Sequence, residues 1–338
     1  MSAEIRSDFA EMTKKLRTYI DSGRVSGPAE MRGERVIAVK PDTSRIKPLK
    51  KMSSYEGRFL AVDCSTRTLK RANNWGVYLM RPSYALVERH DVNWGYSERI
   101  CTVVGDAYTR GDYLEDSRVE LESQMALELT CTKFESTHHG NGRSRGDYVL
   151  LDGGGYFGGG KKFRVSLYEE CEKRGVNLLA LSKNSPILHD ERGRDFMATT
   201  GTLAVYPIWA YCYVHEASKE ENLYGNISVV KISDASQRVF RCDVMDYLNN
   251  RDVLELISPL TFVSEDPRCL GYPVPLYLAH RFSAPAEAML LNYHDQIERI
   301  LKQAGCLGTL RREELTCSFA DELHGAKHAF DLEWVERV

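Results

Sequence analysis

Phe59-Leu-Ala-Val-Asp63-Cys-Ser65 reads as a buried strand that ends in an acid and is followed at once by small residues. Asp147-Tyr-Val-Leu-Leu-Asp152 repeats the pattern, with Gly153-Gly154-Gly155 behind the acid. Acids placed this way are delivered to the edge of a sheet. Between the two, residues 76–80, 84–87 and 99–104 read as strands separated by turn-type residues, the pattern of an antiparallel meander. A long helix is expected over about residues 113–131, then a polar loop over 137–146. Beyond Asp152 a helix over about 162–174 and a strand over 176–182 alternate, a sign of parallel pairing on the same sheet. Residues 203–214, 226–232 and 238–242 are β-rich, and helices are expected over about 244–257 and 284–304. Residues 1–56 open with a helical pattern (Phe9, Met12, Leu16, Tyr19, Ile20) and run into a stretch rich in Gly, Pro, Lys and Arg, which looks like an arm.

The strand carrying Asp63 with its antiparallel meander, then a helix, a strand, a helix and a strand, is the order of an RNase H-like sheet. The expected fold is therefore α/β, an RNase H-like mixed sheet flanked by helices, with an N-terminal helical arm over 1–56. The domain over 57–338 would include the β-rich segment 203–242. A chain of 338 residues can bury a sizeable core of this kind. Its net charge of -3 excludes a uniformly basic DNA-coating protein, so any nucleic-acid surface is a local groove. The nine cysteines form no CxxC pair, which excludes a zinc-finger or redox pattern and fits reduced thiols. With no run of 18 apolar residues and no apolar signal core near Met1, the expected location is cytoplasmic.

The chemistry rests on the two strand-end acids. In an RNase H-like topology the first and fourth strands are neighbours, so the carboxylates of Asp63 and Asp152 converge within metal-bridging reach. Hard oxygen ligands select Mg²⁺ or Mn²⁺, and two such ions about 4 Å apart can activate a water and stabilise a leaving oxygen in phosphodiester hydrolysis. A third acid is expected from Arg118-Val-Glu120-Leu-Glu122 on the intervening helix. At about 100° per residue Leu114, Leu121, Met125 and Leu129 cluster within about 80°, which selects Glu122 over Glu120 as the acid near the sheet. Lys183 ends the strand over 176–182 at the same sheet edge and can bind the scissile phosphate as a point charge. His280, read alone, is either a satisfied core histidine or a ligand or proton donor. His138 and His139 share a loop without an acid or Cys at ligand spacing.

Gly155-Tyr-Phe-Gly-Gly-Gly160-Lys161-Lys162 fits a phosphate-binding loop up to its last position, where Lys162 lacks the hydroxyl that Mg²⁺ needs. That leaves a P-loop-like NTPase as an alternative to the nuclease. The favoured reading is that Lys161, Lys162 and Arg164 contact DNA phosphates.

The segments Phe59-Leu-Ala-Val-Asp-Cys-Ser65, Arg118 to Glu122, Val149-Leu-Leu-Asp-Gly153, Leu181-Ser-Lys-Asn-Ser185 and Pro275-Leu-Tyr-Leu-Ala-His280 together resemble the successive motifs of NurA nucleases. The resemblance implies an RNase H-like fold, Mn²⁺-dependent cleavage of single-stranded DNA with 5′-to-3′ exonuclease action, and a homodimer. It also implies a hexameric, ring-shaped HerA-type ATPase as partner in DNA end resection. On it, Asp63, Glu122 and Asp152 are acidic ligands and His280 lies near the metals. Cys64 stands where the family usually has Gly, and the stretch from Gly153 to Gly160 is unusually glycine-rich. A non-catalytic DNA-binding adaptor of the same fold is the remaining alternative.

Overall fold

The computed structural model describes residues 37–134, 146–157 and 162–323. The helical pattern over 9–20, His138, His139, Lys161 and residues 158–160 lie outside the described residues. Strands β1 (Ile37–Val39) and β2 (Ile46–Pro48) come first. Then β3 (Arg58–Arg71) and β4 (Trp75–Glu88) pair antiparallel, each 14 residues long. β4 fuses the strands expected over 76–80 and 84–87. Its outer neighbour changes where a turn was expected: β5 (Asp91–Tyr96) pairs with its second half and β6 (Arg99–Val104) with its first. Pro82, which has no N–H for a ladder, falls between the two, and its carbonyl accepts the Ser97 N–H at 3.0 Å. β5 had no counterpart in the sequence reading.

Helix α1 (Ala107–Lys133) is capped by Asp106, whose side chain accepts the Thr109 N–H. After it come β7 (Tyr148–Asp152), α2 (Lys162–Arg174) and β8 (Asn177–Ser182). Then follow β9 (Leu188–Asp190), α3 (Phe196–Leu203), β10 (Trp209–His215), β11 (Gly225–Lys231) and β12 (Phe240–Met245). Of the helix expected over 244–257 only α4 (Val253–Ile257) forms; Asp252 caps it by accepting the Leu254 N–H, which sets its start. The chain ends in α5 (Val274–Ser283), α6 (Glu287–Gln303) and α7 (Leu307–Leu323). α7 was not expected.

The chain forms two compact units. One, here the carboxylate unit, comprises Ser54–Asp152, Tyr156–Leu179 and Pro273–Val338. Its strands run in the order β8, β7, β3, β4, β5, with β6 also on β4 and only the first half of β8 included. β3, β4 and β5 are antiparallel, whereas β7 is parallel to β3. This mixed sheet, with α1 and α5 packed on β3 and β4 and α2 packed on α1, is RNase H-like. Phe59, Leu60, Ala61, Leu150 and Ala126 are completely buried in its core.

The β-rich unit comprises Met1–Ser53, Gly153–Gly155 and Ala180–Tyr272. In it β2, β10, β11 and β12 form an antiparallel series, and β1 lies parallel to β9. The described part of the expected arm therefore contributes strands to this unit, beside the β-rich segment 203–242.

Candidate active site

The register of β3 and β7 builds the site. Val62 lies opposite Leu151 in a parallel pair, so the next residues, Asp63 and Asp152, stand side by side on strands about 4.8 Å apart and point to the same face. Asp63 is 7% exposed and Asp152 half-buried. Gly153 follows with a φ of 111°, a conformation that L side chains rarely adopt, so the chain turns away immediately behind the acid.

Helix α5 supplies the partners of Asp63. His280 Nδ1 is 2.9 Å from Asp63 Oδ2, and the Ser283 hydroxyl donates to the same oxygen at 3.0 Å. Burial pushes the Asp63 carboxyl up, but the hydrogen bonds from His280 and Ser283 and the charges of His280 and Arg118 outweigh it and hold it below the ordinary range. The His280 side chain is 62% exposed, so it is no core histidine. It also lies within α5 rather than before a helix, because Pro275 sits in the first turn, where its missing N–H costs nothing.

Glu122 comes from α1. The buried side of this helix is Val119, Glu122, Ser123, Ala126 and Thr130, whereas Leu114, Leu121, Met125 and Leu129 are only half-buried. Small side chains let α1 approach the sheet closely, and the leucines flank the contact. Glu122 is thus on the buried side for a different reason than the leucine arc suggested. Glu120 is on the outer side, accepting from the Gln124 amide at 3.0 Å.

Two guanidiniums face Glu122. Arg118 Nη1 donates to Oε1 at 2.7 Å, and Arg164 Nη2 lies 3.5 Å from Oε2. Burial together with the charges of Asp63 and Asp152 still pushes the Glu122 carboxyl up to about 7, against the pull of both arginines. The charge of Glu122 raises Arg118, whereas burial lowers Arg164. Arg164 stays charged, since a guanidinium keeps its proton even when buried.

Neither protein-family models nor curated proteins give a match to this chain. Solved structures do. The NurA nuclease from Sulfolobus solfataricus superposes with a TM-score of 0.60 at 15% identity, over 90% of this chain and 98% of that one. A NurA structure with manganese gives 0.55 at 11% identity, over 88% of this chain and 98% of the other. NurA bound to dAMP and manganese gives 0.53 at 10%, over 84% and 95%. The chain has the NurA fold.

Five short motifs thus pointed to a fold that extends over most of the chain. Within this NurA fold the residues singled out from sequence are placed as follows. Asp63, Asp152, Glu122 and His280 all belong to the carboxylate unit, and Asp63 and His280 are in direct contact. Arg164 is 4% exposed and turned to Glu122. Lys183 is an exposed residue of the β-rich unit, its Nζ 5.3 Å from the centroid of the Tyr272 ring. Lys162 begins α2. Gly154 and Gly155 have a packing role: the Gly155 N–H donates to Asp243 Oδ2 at 2.7 Å, and a Cβ there would lie 3.1 Å from that oxygen. Arg241 pairs with Asp243 and approaches Gly154.

Sequence reasoning missed Ser283 and the pairing of Arg118 and Arg164 with Glu122. The four-residue spacing of Arg118 and Glu122 was a legible signal, as was the three-residue spacing of His280 and Ser283.

No group of three or more His, Cys, Asp or Glu side chains among the described residues is placed to hold a metal ion. The donor chemistry nevertheless fits a hard dication. Burial pushes the Glu122 carboxyl up, and Asp63 and Asp152 are near enough to add to it despite two arginines; a divalent ion relieves that repulsion.

Proposed function

We propose that this chain is a divalent-metal-dependent deoxyribonuclease that cuts single-stranded DNA. The observation that carries the reading is the pair Asp63 and Asp152, side by side on neighbouring parallel strands, with His280 hydrogen-bonded to Asp63. Asp63 and Asp152 would hold the metal, with Glu122 and His280 as further ligands. When bound, a pair of Mn²⁺ or Mg²⁺ ions supplies an activated water and stabilises the leaving oxygen.

The chain's own residues prepare that step. His280 and Ser283 keep Asp63 ionised and aimed; Arg118 and Arg164 hold the Glu122 carboxylate in place on the buried side of α1. His280, with Nδ1 turned to Asp63, has Nε2 left either to ligate the metal or to donate a proton to the leaving group. Lys161, Lys162 and Lys183 would contact DNA phosphates. The resemblance to NurA nucleases supports 5′-to-3′ exonuclease action, a homodimer, and end resection of double-strand breaks with a HerA-type ring ATPase in the cytoplasm. Among the described residues no helix is long and apolar enough to cross a membrane.

The test is cleavage of a labelled single-stranded oligonucleotide with Mn²⁺ and with chelator, beside ATP hydrolysis on the same sample. Cleavage that needs metal, without ATP hydrolysis, supports the nuclease. ATP hydrolysis without cleavage selects the phosphate-loop alternative, and DNA binding without either selects the adaptor.

A further inference from the structure

Strand β5 ends the hydrogen-bonded strand order of the carboxylate unit and carries large aromatic side chains on its surface: Trp94 is 50% exposed and Tyr96 45%. A solvated edge strand ordinarily avoids such residues, because they invite association. Their position relative to the carboxylates is fixed by register. Asp63 pairs with Ser83, and Ser83 with Tyr96, so the three form one cross-strand row on one face; Ala61, Ala85 and Trp94 form the next. Two strand spacings put Tyr96 about 10 Å from Asp63. Helix α5 covers the same face, since the Ser83 hydroxyl donates to the Ala279 carbonyl at 2.6 Å.

The rings are held in a fixed, nearly parallel set. Trp94 stacks on Phe282 with centroids 4.3 Å apart and planes 19° apart, and lies 6.4 Å from Tyr96 at 20°. Phe282 sits between His280 and Ser283 on α5. The Arg81 guanidinium lies 4.4 Å from the Tyr96 ring centroid and is itself anchored by Glu98 at 2.9 Å. Arg281, which precedes Phe282 on α5, is exposed.

We infer that Trp94 and Tyr96, braced by Phe282 and Arg81, form a base-stacking platform that guides single-stranded nucleic acid along the α5 face to the Asp63–Asp152 site. The inference rests on the nuclease reading for what the platform serves, but its chemistry is independent of cleavage. Flat, exposed rings accept any base, because every base has a π-face, and nearby cations take the phosphates. A second copy of the chain is the competing occupant of an aromatic edge strand. The row shared with Asp63 and the Arg81 guanidinium stacked on Tyr96 favour nucleic acid.

The test uses the full chain in chelator, so that nothing is cut, with fluorescence anisotropy of an oligothymidylate and an abasic oligomer of equal length. Trp94→Ala is expected to weaken oligothymidylate binding about 5- to 150-fold, the effect of unstacking one base. Binding of the abasic oligomer should be unchanged, and Trp94→Phe should keep most of the affinity, which separates stacking from misfolding. Unchanged affinity in both Trp94→Ala and Tyr96→Ala overturns the inference, as does equal loss on both oligomers. A change in sedimentation with DNA affinity intact also overturns it and assigns the face to self-association. Wild-type protein that binds single strands in this way but cuts none with Mn²⁺ supports the platform and removes the nuclease reading.

Discussion

Replacing Glu122 by Gln probes the electrostatics of the site without needing substrate. Glu122 is buried, and its carboxyl is pushed from an ordinary 4.5 up to about 7, by burial first and then by Asp63 and Asp152. Between those values the folded chain holds a proton that the unfolded chain has released. Stability contributed by this group is therefore complete below the lower value and lost as pH rises toward the upper one. At about 1.4 kcal/mol per pH unit, the interval amounts to about 3 kcal/mol. The pull of Arg118 and Arg164 on the carboxylate is already contained in the value of about 7, and guanidiniums do not themselves titrate in this range, so the arginines add no further pH dependence. The assay is urea unfolding of both proteins in chelator at about pH 4.5 and pH 8. Relative to wild type, the variant is expected to gain about 3 kcal/mol on going from the lower to the higher pH. Glu120→Gln, on the outer side of α1, should follow wild type throughout. A wild-type and a Gln protein with parallel pH dependence would refute the reasoning.

Removing Arg164 leaves Glu122 with one cation in a buried position, and Arg164→Ala should lower stability by about 3–5 kcal/mol in urea unfolding at pH 8. His280→Ala, at a 62% exposed side chain, should change the melting temperature little yet slow single-strand cleavage about 10²- to 10⁴-fold in single-turnover assays, the scale of a lost proton donor. Changing Lys161 and Lys162 together to Ala should weaken single-strand binding and reduce the magnitude of its log-log salt slope by up to about 1.4, about 0.7 for each phosphate no longer neutralised; an unchanged slope would mean that the two lysines face solvent.

Much of the fold was legible because two signals were strong. Buried apolar runs leading into an acid marked β3 and β7, and their order around a long helix gave the RNase H-like topology; Asp152 does end β7, but β3 runs on to Arg71, so Asp63 stands within its strand and not at its end. What failed was local. Pro82 read as a break because proline removes a ladder donor, yet here it falls between two outer partners and the strand continues. α1 was phased on its leucines, whereas close packing selected Ser123, Ala126 and Thr130 for the sheet side. Arg164 read as a surface cation from charge alone. Its burial against Glu122 depends on how α2 packs on α1, which no local pattern encodes. Gly154 and Gly155 likewise answer to Asp243 and Arg241, nearly 90 residues further along the chain.

The central claim is that Asp63 and Asp152 jointly make the centre that cuts DNA. Single-turnover cleavage of a single-stranded oligonucleotide at saturating Mn²⁺, in wild type and Asp152→Asn, tests it most directly. Asp152→Asn is expected to bind the oligonucleotide as wild type does and to cleave at least about a hundredfold more slowly, the scale on which single electrostatic groups act in active sites. Wild-type turnover in Asp152→Asn, or cleavage by wild type that persists in chelator, would contradict the account.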